Sequence, residues 1–338
     1  MTESHPLGPY LRRFFLEDLA LDRHLSRNTQ CSYRDSLRLL LHFMADHHAT
    51  APTRLTVEQL TADIVRQFLT TLEQQRGSST ATCNQRRAAV CALFRFIALQ
   101  TPELVAQAAQ IHALPVRRSV VPLIDYLEKD EIDAVLAVPD CQRPQGRRDY
   151  GLLLFLYNTG ARVSEAAHLT IEALRLNDPP CVRLLGKGGK TRLCPIWSRT
   201  VTALQTILRS RPDAASDTPV FLNVRGQPLT RFGIHTLVER TIAKAAQTLP
   251  SLAAKKISPH TIRHTTAVHL LRSGVDINTI RAWLGHVCLA TTNRYAHVDL
   301  AMKAKALASC EIHDSPDPPQ SMPSWKTDDE LMAFLTAL

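Results

Sequence analysis

Three strings hold the side chains of this chain that could do chemistry together: TGARVSEAAHLT at 159–170, HTIRHTTAVHLL at 260–271 and WLGHVCLATTNRYAHV at 283–298. They contain Arg162, His260, Arg263, His264 and Tyr295. Attack on a phosphodiester gathers negative charge on the non-bridging oxygens. Without a metal, that charge needs fixed cations, and a guanidinium pair supplies them without losing its proton. The nucleophile must be activated, and the departing 5′-oxygen needs a proton. Two arginines, imidazoles and one late tyrosine meet those needs. His260, Arg263 and His264 stand at i, i+3 and i+4, which puts them on one face of a helix. Ser258-Pro259 is a helix start, and the other inward positions, Ile262, Ala267, Val268, Leu270 and Leu271, are apolar. Arg162 follows a break at Gly160, and Glu165 one turn on can hold its guanidinium, with a plain surface pair as the alternative. His286 follows Leu284-Gly285, where glycine can end a helix. Tyr295 is the only tyrosine after Tyr157, and Thr291, Thr292, Asn293, Arg294 and His297 give it a polar surround unlike that of a core residue. Lys187, in the glycine-flanked stretch 186–190, can reach outward, and Lys190 competes for the same role.

The elements that must position these groups are mostly helical. Residues 7 to about 112 read as helices throughout: 7–21, a second capped by Ser26 or Asn28, one opening at Val57 behind Thr56, another with Ile64, Phe68 and Leu72 as its apolar stripe, and one over 81–98 behind the turn Gly77-Ser78-Ser79-Thr80. Arg86 and Arg87 lie together on that last helix, either as a solvated face or as a phosphate-contacting one. Residues 113–124 carry two prolines around Arg117-Arg118 and read as a linker, a basic tether able to cross a DNA groove. A second domain starts near Asp125. Its helices are expected at 147–158, 161–169, 198–209, 231–247, 258–273, 276–284, 288–294 and 301–308, with a hairpin of 181–185 and 191–196. The proline-rich stretch 311–325 is a spacer, and 327–338 has an apolar helical side that docks on its own domain or on a neighbouring protomer.

At 338 residues the chain is long enough for two cores. Forty Lys plus Arg against 31 Asp plus Glu leave a formal charge of +9, which favours a polyanionic partner. No lysine precedes Lys129, so the first third carries its positive charge as arginine, whose planar fork suits phosphate. The eight cysteines are scattered without a Cys-x-x-Cys pair, which speaks for reduced thiols rather than a metal site. No stretch approaches a membrane span, and the first residues lack a secretory pattern, so a cytoplasmic protein without membrane partners is expected.

The strings TGARVSE, GKGGKTR, HTIRHTTA and LGHVCLATTNRYAHV, in this order, resemble the catalytic boxes of bacterial tyrosine recombinases, the phage integrase family. SRNTQCSYRDSLRLLLHF and TCNQRRAAVCALFRFI are similar to the family's helical core-binding domain. The resemblance covers about residues 7–310. It implies a mainly α fold with a small β-hairpin or sheet. A four- to five-helix core-binding (SAM-like) domain over 7–112 would be joined by 113–124 to a catalytic domain over 125–310, followed by a tether and C-terminal helix over 311–338. It further implies that Arg162 and Arg263 bind the scissile phosphate, that Lys187 protonates the leaving 5′-oxygen, and that His260 acts as acid or base. His286 would assist at the phosphate, and Tyr295 would attack to give a 3′-phosphotyrosine. His264 is implied as a structural support. No cofactor or metal is implied. The implied partner is double-stranded DNA with specific recombination sites, bound by a homotetramer on two sites, with exchange of the C-terminal helix as one arrangement. The charge reading adds Arg86, Arg87, Arg117 and Arg118 as DNA contacts, and a nucleoid-associated location in the cytoplasm.

The expected activity is therefore site-specific cleavage and rejoining of DNA, with a mobile element preferred over chromosome-dimer resolution. Two alternatives stand beside it: a type IB topoisomerase-like relaxer, and a DNA-binding accessory protein that no longer cuts.

Overall fold

The computed structural model describes residues 4–118 and 124–285, with the backbone alone described at Lys187. His286, Tyr295, the helices expected at 288–294 and 301–308, and the tail 311–338 lie outside the described residues. The chain divides into two compact units, 1–122 and 123–338.

The first unit is helical. It comprises α1 (Leu7–Arg13), a π-helical stretch (Phe14–Asp22), α2 (Arg27–His47), α3 (Ala62–Gln74), α4 (Thr80–Gln100) and α5 (Val105–His112). Side-chain caps define three of the starts. Ser26 accepts from the Thr29 N–H, Thr61 from Ile64 and Ser79 from Thr82. Leu37, Leu40, Met44, Ile64, Phe68, Val90, Phe94, Ile97 and Ile111 meet in its core. The helix expected with Ile64, Phe68 and Leu72 inward is α3, whereas no helix opens at Val57, where the chain makes a turn. Val57 and Leu60 are buried, and their carbonyls accept from the Gln107 side chain at 2.7 and 2.9 Å. A side chain remote in sequence thus satisfies groups that a helix at Val57 would otherwise use, and Thr61 caps α3. Residues 113–118, read as linker, are packed in part. Leu114 is buried, and the backbone of Arg117 exchanges hydrogen bonds with the Asn84 amide at 2.8 and 3.0 Å.

In the second unit, α6 (Lys129–Ala137) begins with a Glu128/Glu131 capping box. The central helix α7 (Pro144–Thr159) is buried from Gly151 to Thr159. The short α8 (Val163–Ala167) follows. Strands β1 (Leu174–Arg175), β2 (Cys181–Leu185) and β3 (Thr191–Pro195) form one antiparallel sheet in the order β1-β2-β3. The β2–β3 hairpin matches expectation, and β1 is an addition too short to show alternation. Helices α9 (Ser198–Arg209), α10 (Arg231–Ala245), α11 (Pro259–Arg272) and α12 (Ile277–Leu284) follow among the described residues. Helices α9 and α11 pack on α7. Two hydroxyls seat α11: Thr266 donates to the Tyr157 carbonyl at 2.6 Å, and Thr265 accepts from the Leu127 N–H at 2.9 Å. Among the described residues no helix is long and apolar enough to cross a membrane.

Candidate active site

Two glycines set the backbone of the site. Gly160 ends α7 with φ 57°, and Gly285 ends α12 with φ 64°, both in the left-handed region that favours glycine. Space reinforces the choice. A Cβ at Gly160 would lie 2.5 Å from Leu284 Cδ2, and one at Gly285 would lie 3.2 Å from Arg192 Cδ. The turn at Gly160 brings Arg162 to the start of α8, and Ser258-Pro259 starts α11 as its cap and first residue.

Arg162, His260 and Arg263, which lie up to a hundred residues apart in sequence, come together on one open cavity of about 340 Å³. Arg231, Phe232 and His235 from the start of α10 complete its polar and aromatic rim. His260 is exposed, and its ring meets that of His264 edge-on with centroids 4.4 Å apart. Arg263 is only 1% exposed. Its Nη1 donates to the Gly160 carbonyl and its Nη2 to the Leu284 carbonyl, each at 2.5 Å. These bonds fix the guanidinium at the cavity wall.

Arg162 is held from behind. Its backbone N–H and its Nη1 donate to the Glu165 carboxylate at 2.9 and 2.8 Å, and its Nη2 reaches the Gly285 carbonyl at 3.3 Å. Arg192 on β3 grips the same carboxylate through both Nη atoms at 3.0 and 2.7 Å, and its Nε donates to the Trp283 carbonyl at 2.8 Å. Burial alone would push the Glu165 carboxyl up. The Arg192 fork and charge, with the Arg162 N–H and guanidinium, outweigh it and hold the group below the usual carboxylate range.

The Lys187 turn joins β2 to β3, with Gly188 and Gly189 at φ 75° and 74° and Lys190 exposed beside them. None of the described tyrosines lines the cavity. Tyr157 is bonded to His269 Nδ1 at 2.8 Å, and burial pushes its phenol up to about 12, which makes it a poor nucleophile.

The four arginines proposed to contact DNA lie in the first unit. Arg86 donates to Ser36 Oγ at 2.8 Å and Arg87 to the His112 carbonyl at 2.8 Å. Arg117 pairs with Glu73, and Arg118 is exposed. Sequence reasoning passed over Arg192, Arg231, Phe232 and His235. The signal for Arg192 was its place in GKGGKTR, five residues after Lys187. The signal for Phe232 was an aromatic beside a helix cap, and it is 80% exposed at the cavity rim.

The phage integrase family matches residues 125–302, and the N-terminal SAM-like domain of phage integrases matches residues 13–101. The chain is similar to the putative integrase/recombinase y4rC of Sinorhizobium fredii (strain NBRC 101917 / NGR234), 36% identical over the whole of both chains. It is also similar to the tyrosine recombinase XerC of Pelobacter propionicus, 34% identical over 87% of this chain and 92% of that one. The fold resembles that of the XerH site-specific recombinase in its post-cleavage complex with difH substrate, with a TM-score of 0.66, 22% identity, and 85% and 81% of the two chains covered. A helical SAM-like unit followed by a catalytic unit with a three-stranded sheet is therefore the shared architecture, and this chain belongs to the phage integrase family of tyrosine recombinases.

Proposed function

We propose that this recombinase cuts and rejoins DNA at specific sites through a 3′-phosphotyrosine on Tyr295, in the service of a mobile element. The observation that carries the reading is the convergence of Arg162, Arg263 and His260 on one open cavity. Two guanidiniums there match the charge that builds on a phosphodiester under attack. In this reading Arg162 and Arg263 bind the scissile phosphate, and His260 moves a proton near the nucleophile. Lys187, or Lys190 beside it, protonates the departing 5′-oxygen. His286 assists at the phosphate from the end of α12. Attack by the Tyr295 oxygen forms a P–O bond to the phenol and breaks the bond to the 5′-oxygen, which leaves as a hydroxyl. Rejoining reverses these steps, since the phosphotyrosine keeps the bond energy.

The basic balance of the chain supports DNA as partner, and the 36% identity to a putative integrase/recombinase supports the mobile-element role. Arg86, Arg87, Arg117 and Arg118 would sit on DNA phosphates. Arg118 has the exposure this asks for, while Arg86, Arg87 and Arg117 would contact phosphate with the donors left over from their internal bonds. A tetramer on two sites, with the 327–338 helix seated on a neighbouring protomer, is the assembly proposed, in the bacterial cytoplasm on the nucleoid.

The test is exchange between two copies of the flanking element end on one plasmid. Site-dependent exchange that disappears with Tyr295→Phe is expected. Supercoil relaxation without site preference would favour the topoisomerase-like reading, and exchange unchanged by Tyr295→Phe would favour a non-cleaving accessory. Deleting 326–338 should leave single-site binding intact and weaken synapsis; unchanged synapsis removes the helix-exchange arrangement.

A further inference from the structure

Three guanidiniums grip three successive carbonyls at the end of α12: Arg192 holds Trp283, Arg263 holds Leu284 and Arg162 holds Gly285. Two of these arginines line the cavity, and Arg192 does not. Arg192 shares the Glu165 carboxylate with Arg162, and both donate to its Oε1. The side chains of Arg192 and Glu165 are 9% and 2% exposed, so their pairing is little screened by solvent.

We propose that Arg192 is a positioning residue for strand cleavage, which shares the charge of Glu165 so that Arg162 keeps its own positive charge for the scissile phosphate. The proposal rests on the reading that Arg162 contacts that phosphate. Two guanidiniums against one carboxylate leave the cluster with one net positive charge. Without Arg192, Glu165 and Arg162 form a neutral pair, and the positive field at the cavity falls to what Arg263 and Arg231 supply although Arg162 is still present. The same guanidinium ties β3, the strand that follows the Lys187 turn, to the last turn of α12. It thereby links the proton-donor turn to the segment that leads towards His286.

The experiment measures single-turnover cleavage of a nicked suicide duplex carrying the cognate site. The scissile group is either the phosphodiester or a methylphosphonate, which lacks the anionic oxygen. Arg192→Met should slow phosphodiester cleavage about 100-fold, the scale of a misplaced catalytic group. On the methylphosphonate the slowing should shrink to a few-fold, with duplex affinity unchanged on both. The double variant Arg192→Met/Glu165→Gln restores one net positive charge and should recover at least tenfold of the lost rate. Arg192→Lys, which keeps the charge and loses the fork, should fall between wild type and Arg192→Met, and it serves if the methionine variant fails to fold. Equal slowing on both substrates, no slowing, or no recovery in the double variant would overturn the proposal. If the wild-type protein forms no covalent adduct on either duplex, the phosphotyrosine reading itself fails, and that outcome is distinct from wild-type cleavage with indifferent Arg192 variants.

Discussion

Replacing Glu165 by glutamine tests the electrostatic core of the site through stability rather than rate. The Glu165 carboxylate accepts four N–H groups at 2.7–3.0 Å, two from Arg162 and two from Arg192. Hydrogen bonds to charged groups contribute about 1.5–3 kcal/mol each, but the glutamine would still accept at one oxygen, so simple addition overstates the loss. The larger effect is that its amide NH2 would face donors and two guanidiniums would lose their common counter-charge. Removing one partner of a buried pair costs about 3–5 kcal/mol. For a catalytic unit of this size, 1 kcal/mol moves the melting temperature by about 2–4 °C, so a drop of about 6–20 °C is expected. The pH dependence has a definite sign. The carboxyl is depressed in the folded state, so its contribution is complete above the usual carboxylate range and is lost as pH falls through the depressed value. The gap between wild type and Glu165→Gln should therefore be constant near neutrality and close only in acid below about pH 4. Calorimetric melts from pH 3 to 8 measure this. A variant melting within about 2 °C of wild type at pH 7, or a gap that widens in acid, would refute the reasoning.

Other substitutions separate the two cavity arginines. Arg162→Ala and Arg263→Ala should each slow cleavage 10²–10³-fold or more, about 3–4 kcal/mol in the transition state, while DNA binding persists in gel-shift assays. Only Arg263→Ala should also lower the melting temperature strongly, because it leaves the buried Gly160 and Leu284 carbonyls without the donors that now satisfy them. Gly160→Ala should destabilise by about 1–2 kcal/mol from its left-handed φ alone, with more from the clash with Leu284, read by denaturant midpoint. DNA affinity should fall steeply with salt, because phosphate contacts release counterions, and a flat response in fluorescence anisotropy would contradict binding through phosphates.

The part of this site that periodicity could reveal was the α11 face. His260, Arg263 and His264 follow from i, i+3, i+4 spacing, and Ser258 and Pro259 from capping rules that act locally. The Gly160 turn was legible for the same reason, since a left-handed cap depends on its own φ. Arg192 stood inside the string GKGGKTR, but what it does was not legible there, because its partners Glu165 and Trp283 reach it only through the fold. The burial of Arg263 was hidden for the same cause: the two carbonyls that hold it belong to the ends of α7 and α12. Likewise, local signals favoured Thr56 as a cap until Gln107, fifty residues away, took the Val57 carbonyl. β1 has only two residues, and its pairing with β2 defines it.

The most direct measurement is peptide mapping of the covalent protein–DNA adduct. The wild-type protein is incubated with a nicked suicide duplex carrying its cognate site, digested, and the peptide that retains the nucleotide is sequenced by mass spectrometry. The account predicts a 3′-phosphate ester on Tyr295, absent from Tyr295→Phe and nearly absent from Arg162→Ala. An adduct on any other residue, or full adduct formation without Arg162, would contradict it.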